Sequence, residues 1–233
     1  MKQVRLICAL SALGVALLMG TPALAQDATP AASATSLAAN SFAAPFTPSP
    51  DLCTIPPMST DDVANLLATP TPLFSPPVTE HGIVALPGGT VADDAATAGV
   101  LETLTQLWAC NNAQNTGSIA AIFSPAGLQQ TLGVTEDSTM SLEAIRAKVA
   151  AKLTPEDPRA EADWASIDAV VSVLAQPDGS IGVLVLNSDP LVSEGDQVLD
   201  YFAFTTEDGS TYQLSTVILD PFDLTPDYGF EKA

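Results

Sequence analysis

The longest amphipathic pattern in the chain spans residues 92–110. Its apolar side chains recur every three or four residues, which places them along one face of an α-helix: Val100, Leu101, Leu104, Leu107 and Trp108. Asp93 and Asp94 stand at its start, where carboxylates accept hydrogen bonds from free backbone N–H groups and interact favourably with the helix dipole. The pattern predicts a long helix against which the rest of the domain packs.

Several shorter helices are also predicted. The asparagines within residues 111–115 indicate where the long helix stops, and Thr116 is the predicted cap of a short helix that follows. Ser124–Pro125 begins another, because proline suits the first helical position. Ser59 precedes a short apolar stripe, and residues 141–153 carry a stronger one, so both segments are predicted helices.

The C-terminal half carries the alternating pattern of four β-strands, at residues 166–175, 180–187, 197–206 and 211–219. Asp-Gly pairs at 178–179 and 208–209 predict two hairpin turns. If each turn centres on its Asp-Gly pair, the first hairpin has a wholly apolar face: Ile167, Ala169, Val171, Val173, Leu184 and Leu186. One face of the second hairpin then holds Leu199, Tyr201, Ala203, Tyr212, Leu214 and Ile218, and the other holds Asp200, Phe202, Phe204, Gln213 and Ser215. Both sheet faces are therefore expected to be covered, one by helices and the other by the N-terminal segment, a dimer partner or a ligand.

This order of elements resembles the NTF2-like superfamily, in its SnoaL-like branch. The resemblance covers residues 93–220 and rests on a long helix ending in WACNNA, a short helix ending in IFS, and a later four-strand meander. It implies an α+β fold in which a curved antiparallel sheet packs on N-terminal helices and forms a cone with an apolar pocket. The family includes isomerases, cyclases, hydrolases and members without known activity, so the fold alone does not give the function.

The chain divides into segments of different composition. Residues 1–25 are a predicted signal peptide, with Lys2 and Arg5 before an apolar run and Ala23-Leu24-Ala25 as the cleavage site. Residues 26–50 are a predicted disordered Ala/Ser/Thr/Pro tether, and 51–92 a short helix with a Pro-rich linker. The α+β domain is expected at 93–222, followed by a tail at 223–233. The signal peptide indicates an extracytoplasmic protein, either secreted or associated with the cell surface. No stable membrane anchor is expected after cleavage.

The charge balance excludes some partners. The net charge is −20, and cleavage would remove Lys2 and Arg5 but no acid, which gives −22. Nucleic acid requires a basic surface, so it is not an expected partner. An anionic membrane surface is disfavoured for the same reason. High acidity by itself is typical of a soluble exported protein.

Two cysteines, Cys53 and Cys110, remain after signal cleavage. Exported proteins with a small, even number of cysteines usually pair them, so a disulfide is predicted; two buried free thiols are the alternative. His81 is the only histidine, and one imidazole cannot supply the ligand set of zinc. A Gly-rich phosphate loop is also absent from the sequence. No metal and no cofactor are therefore expected.

The residue types available for catalysis are few. Family isomerases use a pocket carboxylate and a hydrogen-bonding tyrosine, and the candidates for these roles are Asp168, Asp200, Tyr201 and Tyr212. None stands in a motif that transfers a catalytic role, so enzymatic activity is an open alternative and the less favoured one.

A non-catalytic role is the preferred interpretation. The cone would bind a small apolar molecule, or the domain would bind a second protein chain, including another copy of itself as a homodimer. A structural or dimerisation module with a filled cone is a further alternative. Large apolar side chains would line or fill the cone, and the candidates are Trp108, Phe123, Phe202 and Phe204.

Overall fold

The computed structural model describes residues 45–69, 86–132, 140–154, 156–193, 195–206, 208–219 and 221. The predicted signal peptide, residues 26–44 of the tether, His81 and the tail at 223–233 lie outside these residues. All described residues belong to one unit, Ala38–Ala233. Its described helices are α1 (Thr60–Leu67), α2 (Asp94–Asn112), α3 (Thr116–Ile122), α4 (Pro125–Leu132) and α5 (Leu142–Lys152). Its described strands are β1 (Thr90–Val91), β2 (Ser166–Ala175), β3 (Ile181–Ser188), β4 (Gln197–Thr206) and β5 (Tyr212–Ile218).

The described residues form an α+β fold with one antiparallel sheet in the order β1-β2-β3-β4-β5. The predicted α+β class and the four long strands are therefore confirmed. Helix starts follow the predicted capping chemistry. The Asp93 carboxylate accepts from the Ala96 N–H at 2.7 Å, and Ser59 and Ser141 cap α1 and α5 in the same way. The prediction for α3 is wrong by one residue, because Asn115 and not Thr116 is its cap.

Two pieces of chain extend the sheet beyond the predicted meander. β1 pairs with the end of β2, and Gly89 beside it lies so close that a Cβ there would be 2.4 Å from the Ala175 carbonyl oxygen. Phe46 exchanges two backbone hydrogen bonds of 2.8 Å with Ile167 at the other end of β2. The last residues of the expected tether therefore belong to the fold. Pro87-Gly88-Gly89, within the expected linker, leads directly into β1.

The predicted face assignment is wrong in part, because neither turn centres on its Asp-Gly pair and because extra residues interrupt the strand register. Gln176 pairs with Ser180 across the first turn, and Thr206 opposes Tyr212 across the second. β2 gains one residue after Ile167 and one after Val170, and β5 gains one between Leu214 and Thr216. Each extra residue exchanges the faces of the strand beyond it. The opposed pairs are Val173 with Val183, Ser172 with Leu184, Phe204 with Leu214, and Thr206 with Tyr212. The shifted turns separate Leu184 from Val173 and place Leu214 and Tyr212 on the face of Phe204 instead of Tyr201. Beyond the extra residue of β5 the faces agree with the prediction again, and Ile218 shares the face of Tyr201.

Helix α2 packs on the sheet face that carries Phe202, here called the inner face. Val100 and Leu104 of α2 are fully buried in one core with Val183 and Phe204 of the sheet. The opposite, outer face carries half-buried apolar side chains, at Leu184, Leu186, Leu199 and Ile218. The long amphipathic helix and the meander therefore form one hydrophobic core, as the sequence pattern predicts.

The segment before α1 is fixed to the end of α2. The predicted Cys53–Cys110 disulfide is present, with 4.7 Å between the Cα atoms. Asn112, also at the end of α2 and fully buried, donates to the carbonyls of Pro48 and Ala165 and accepts from the Ala165 N–H at 2.8 Å. One covalent bond and one amide therefore join three stretches of chain that are distant in sequence.

Candidate functional site

A mostly apolar cavity of about 510 Å³ lies between the inner sheet face and helices α2, α3 and α4. Its walls come from five parts of the chain, around α2, α3, α4, β4 and β5: Leu107, Trp108, Asn111, Ile119, Phe123, Gln130, Thr131, Phe202, Val217 and Leu219. Ligand cavities in proteins commonly have volumes of roughly 300–1,000 Å³, apolar walls and a few polar groups. A second depression of about 590 Å³ beside α1 contains none of the predicted binding residues.

The aromatic walls follow from the helix and strand periodicities. Trp108 belongs to the apolar stripe of α2, and it meets Phe202 of β4 edge-on with ring centroids 5.4 Å apart. Phe123 ends α3 and forms an isolated parallel bridge to Leu214 on β5. The position of Phe123 is therefore set by its bridge to the edge strand β5. The position of Trp108 is set by its place on the apolar face of α2. Three of the four predicted aromatic binding residues line one cavity.

Phe204 has a different environment from the other three. Its side chain is fully buried and lies in the hydrophobic core, opposite Leu214 and Ile181 in the sheet register. Phe204 is not one of the described residues that line the cavity. Phe204 therefore stabilises the sheet–helix packing behind the cavity wall.

One corner of the cavity is polar. Asn111 lines the cavity, and its side-chain amide lies between an aspartate and an arginine. The Asn111 Oδ1 atom accepts from Arg159 Nη2 at 3.3 Å, and its Nδ2 atom donates to Asp189 Oδ2 at 3.4 Å. Arg159 Nη1 also donates to Asp189 Oδ1 at 2.8 Å, and these two charged side chains are only 10% and 15% exposed. We call Asn111, Arg159 and Asp189 the polar corner.

The polar corner is held by the backbone around it. The Arg159 N–H donates to the Asn112 carbonyl, and its own carbonyl accepts from the Trp164 indole N–H at 3.0 Å. Asp189 follows β3 and accepts from the Leu191 N–H at 3.0 Å, which fixes the carboxylate within the turn. The sequence pattern does not identify these three residues as a site. The asparagine cluster at the end of α2 was the available signal, but it resembled a simple helix stop.

The candidate carboxylates lie away from the lining of this cavity. Asp200 is buried on the inner face, two residues before Phe202, and accepts from Asn187 Nδ2 at 2.9 Å. Asp168 is one of the two extra residues of β2, and it accepts from Ser166, Ser188 and Gln197. Both carboxylates therefore take part in hydrogen bonds between neighbouring strands.

The candidate tyrosines do not join Asp200 in an acid–base pair. Tyr201 lies on the outer face, where its hydroxyl contacts Gln176 Nε2 and its ring covers Gly182. Burial raises the pKa of the Tyr201 hydroxyl, against an opposing effect of the Gln176 hydrogen bond. Tyr212 packs against Gly99 of α2 and opposes Thr206, six residues or roughly 20 Å of strand from Asp200. The carboxylate–tyrosine arrangement of the family isomerases is therefore not assembled from these four residues.

Within the described residues, no group of three potential metal-ligating side chains comes together. The described helices also include none with the length and apolar character needed to cross a bilayer. The disulfide, by contrast, is of the kind that persists in oxidising, extracytoplasmic compartments.

No protein-family model matches the chain, and no curated protein or solved structure matches it significantly.

Proposed function

We propose that this protein is an exported, NTF2-like binding domain whose cavity takes up a small apolar molecule. The observation that carries the proposal is the convergence of Trp108, Phe123 and Phe202 on one apolar cavity of about 510 Å³. Burying an apolar ligand there would be favourable by about 25 cal/mol for each Å² removed from water.

The NTF2-like part of the proposal is supported by the order and pairing of the elements. Helices precede an antiparallel meander, and the longest helix packs across the inner face. The extra residues in β2 and β5 favour a bent sheet, because bulges increase strand twist and bending. A bent sheet over a helix is the geometry of the cone. Export is supported by the leader pattern at residues 1–25 together with the disulfide.

The test is a titration with Nile red, an uncharged dye whose fluorescence rises in apolar surroundings. The mature protein should bind it, and Val217→Trp should weaken binding at least tenfold, because the larger side chain would occupy the cavity. Ile218→Trp is the matched control, since it places the same indole on the outer face of the same strand. Equal loss in both variants, or none in either, would refute the cavity as the binding site.

A second candidate function is self-association through the outer face. The observation in its favour is the half-buried apolar surface at Leu184, Leu186, Leu199 and Ile218. A monomeric mass at micromolar concentration in light scattering would remove this candidate, and a dimer disrupted by Leu186→Lys would support it. Either result leaves the cavity proposal to be decided by the dye titration.

A further inference from the structure

The amide of Asn111 has one orientation that satisfies both of its neighbours. Arginine only donates hydrogen bonds and an ionised aspartate only accepts them, so the Asn111 Oδ1 atom must face Arg159 and its Nδ2 atom must face Asp189. Asn111 then keeps one N–H and one lone pair beyond these contacts, and it lines the cavity. An oriented, uncharged donor–acceptor group therefore stands at one corner of a mostly apolar cavity, whose other polar lining residues are Gln130 and Thr131.

The charges behind Asn111 cancel each other. The Arg159 guanidinium contacts the Asp189 carboxylate at 2.8 Å, and its Nη1 also donates to the Asp163 carbonyl at 3.3 Å. A ligand carboxylate placed at Asn111 would therefore meet an arginine that is already neutralised, close to the negative charge of Asp189. It would also enter a chain with a net charge of −20. Burying an anion without a free cation is strongly unfavourable.

We propose that the polar corner makes the cavity selective for apolar molecules with an uncharged hydroxyl or carbonyl end, and that it rejects the corresponding carboxylates. This inference rests on the proposed function, because it concerns the same cavity. Asn111 is the specificity-determining residue that touches the ligand. Arg159 and Asp189 are positioning residues, which fix the amide and keep the corner neutral.

The test uses displacement of Nile red by two ligands of equal chain length, 1-decanol and decanoate, at pH 7.5. Wild-type protein should release the dye at a decanol concentration at least tenfold below that of decanoate. Asp189→Asn removes the negative charge and leaves Arg159 without its carboxylate, so the preference should shift towards decanoate by about tenfold. Asp61→Asn is the matched control, since it removes the carboxylate of the exposed Arg146–Asp61 pair, and it should leave the preference unchanged.

Asn111→Leu provides an independent measurement, which remains available if Asp189→Asn fails to fold. It keeps the side-chain volume but removes the donor and acceptor, so decanol affinity should fall several-fold while the affinity for decane, which has no polar end, is retained. Equal displacement by decanol and decanoate in the wild type, or an unchanged preference in folded Asp189→Asn, would overturn the inference and leave the binding function intact. Absence of Nile red binding to the wild type would overturn both.

Discussion

The indole of Trp108 meets the ring of Phe202 edge-on, with ring centroids 5.4 Å apart and an interplanar angle of 66°. This contact joins the long helix to the inner sheet face at the wall of the cavity. Edge-to-face aromatic pairs contribute about 0.5–1.5 kcal/mol beyond the area they bury. The pair therefore both shapes the cavity and stabilises the packing of α2.

A double-mutant cycle tests this pair. Trp108→Leu and Phe202→Leu should each destabilise the protein, and the coupling energy between them should be about 0.5–1.5 kcal/mol by urea denaturation. Phe204→Leu is the control partner for Trp108→Leu, because Phe204 is equally aromatic and buried but lies in the core behind the cavity wall. Coupling of equal size in both cycles would contradict the assigned contact.

Asn112 should be among the most sensitive polar positions in the domain. Asn112→Ala leaves two carbonyls and one N–H buried without this partner, which we expect to cost about 2–5 kcal/mol in the free energy of unfolding. Asn115→Ala removes only the cap of α3 and should cost about 1 kcal/mol. Similar losses for the two variants in chemical denaturation would show that Asn112 does not join the three segments.

The disulfide closes a large loop, since 57 positions separate its cysteines. Reduction, or the double substitution Cys53→Ser with Cys110→Ser, should lower the free energy of unfolding by about 4 kcal/mol in the chain-entropy model. The same denaturation curve with and without reductant measures this loss. The serine variant serves as the control, because reductant should leave it unchanged. An unaltered curve for the reduced wild type would show that the bond is energetically unimportant.

The β4–β5 turn should stabilise the fold in a pH-dependent way. The Asp208 carboxylate accepts from the backbone N–H groups of Ser210 and Thr211, and these hydrogen bonds hold its pKa below the usual value. A pKa that is lowered in the folded state contributes stability above the unfolded value of 3.8, and this is lost as the pH falls further. The stability difference between wild type and Asp208→Asn should therefore be present at pH 7 and shrink below pH 4. A difference that is constant from pH 7 to pH 3 would contradict this assignment.

Local patterns predict most of the elements but not the register between them. Carboxylate and hydroxyl caps, such as Asp93, are visible in the sequence because their chemistry acts within one helical turn. The extra residues after Ile167, Val170 and Leu214 are not visible, because a bulge depends on how a strand fits its neighbour. The loop lengths of the two hairpins are not visible either, so the predicted faces of Val173, Tyr212 and Leu214 are wrong.

In the candidate site, too, the sequence predicts the residues that local patterns determine and misses those that long-range contacts bring together. The spacing of Trp108 within its helix stripe indicates a buried aromatic residue, and alternation in β4 places Phe202 on one face. The polar corner forms only where the segments that carry Asn111, Arg159 and Asp189 come together. Each of its contacts joins residues at least 30 positions apart in the sequence. Apart from the pairing of two cysteines, single-sequence patterns carry no signal over such separations.

The most direct measurement of ligand uptake is a set of intermolecular nuclear Overhauser effects between 1-decanol and the isotope-labelled mature protein. Binding in the cavity predicts contacts from the alkyl chain to Leu107, Ile119 and Val217, and from the carbinol end to the Asn111 amide. Contacts confined to the outer face, at Leu184 or Leu186, would contradict the proposal. The absence of contacts at saturating ligand would contradict it as well.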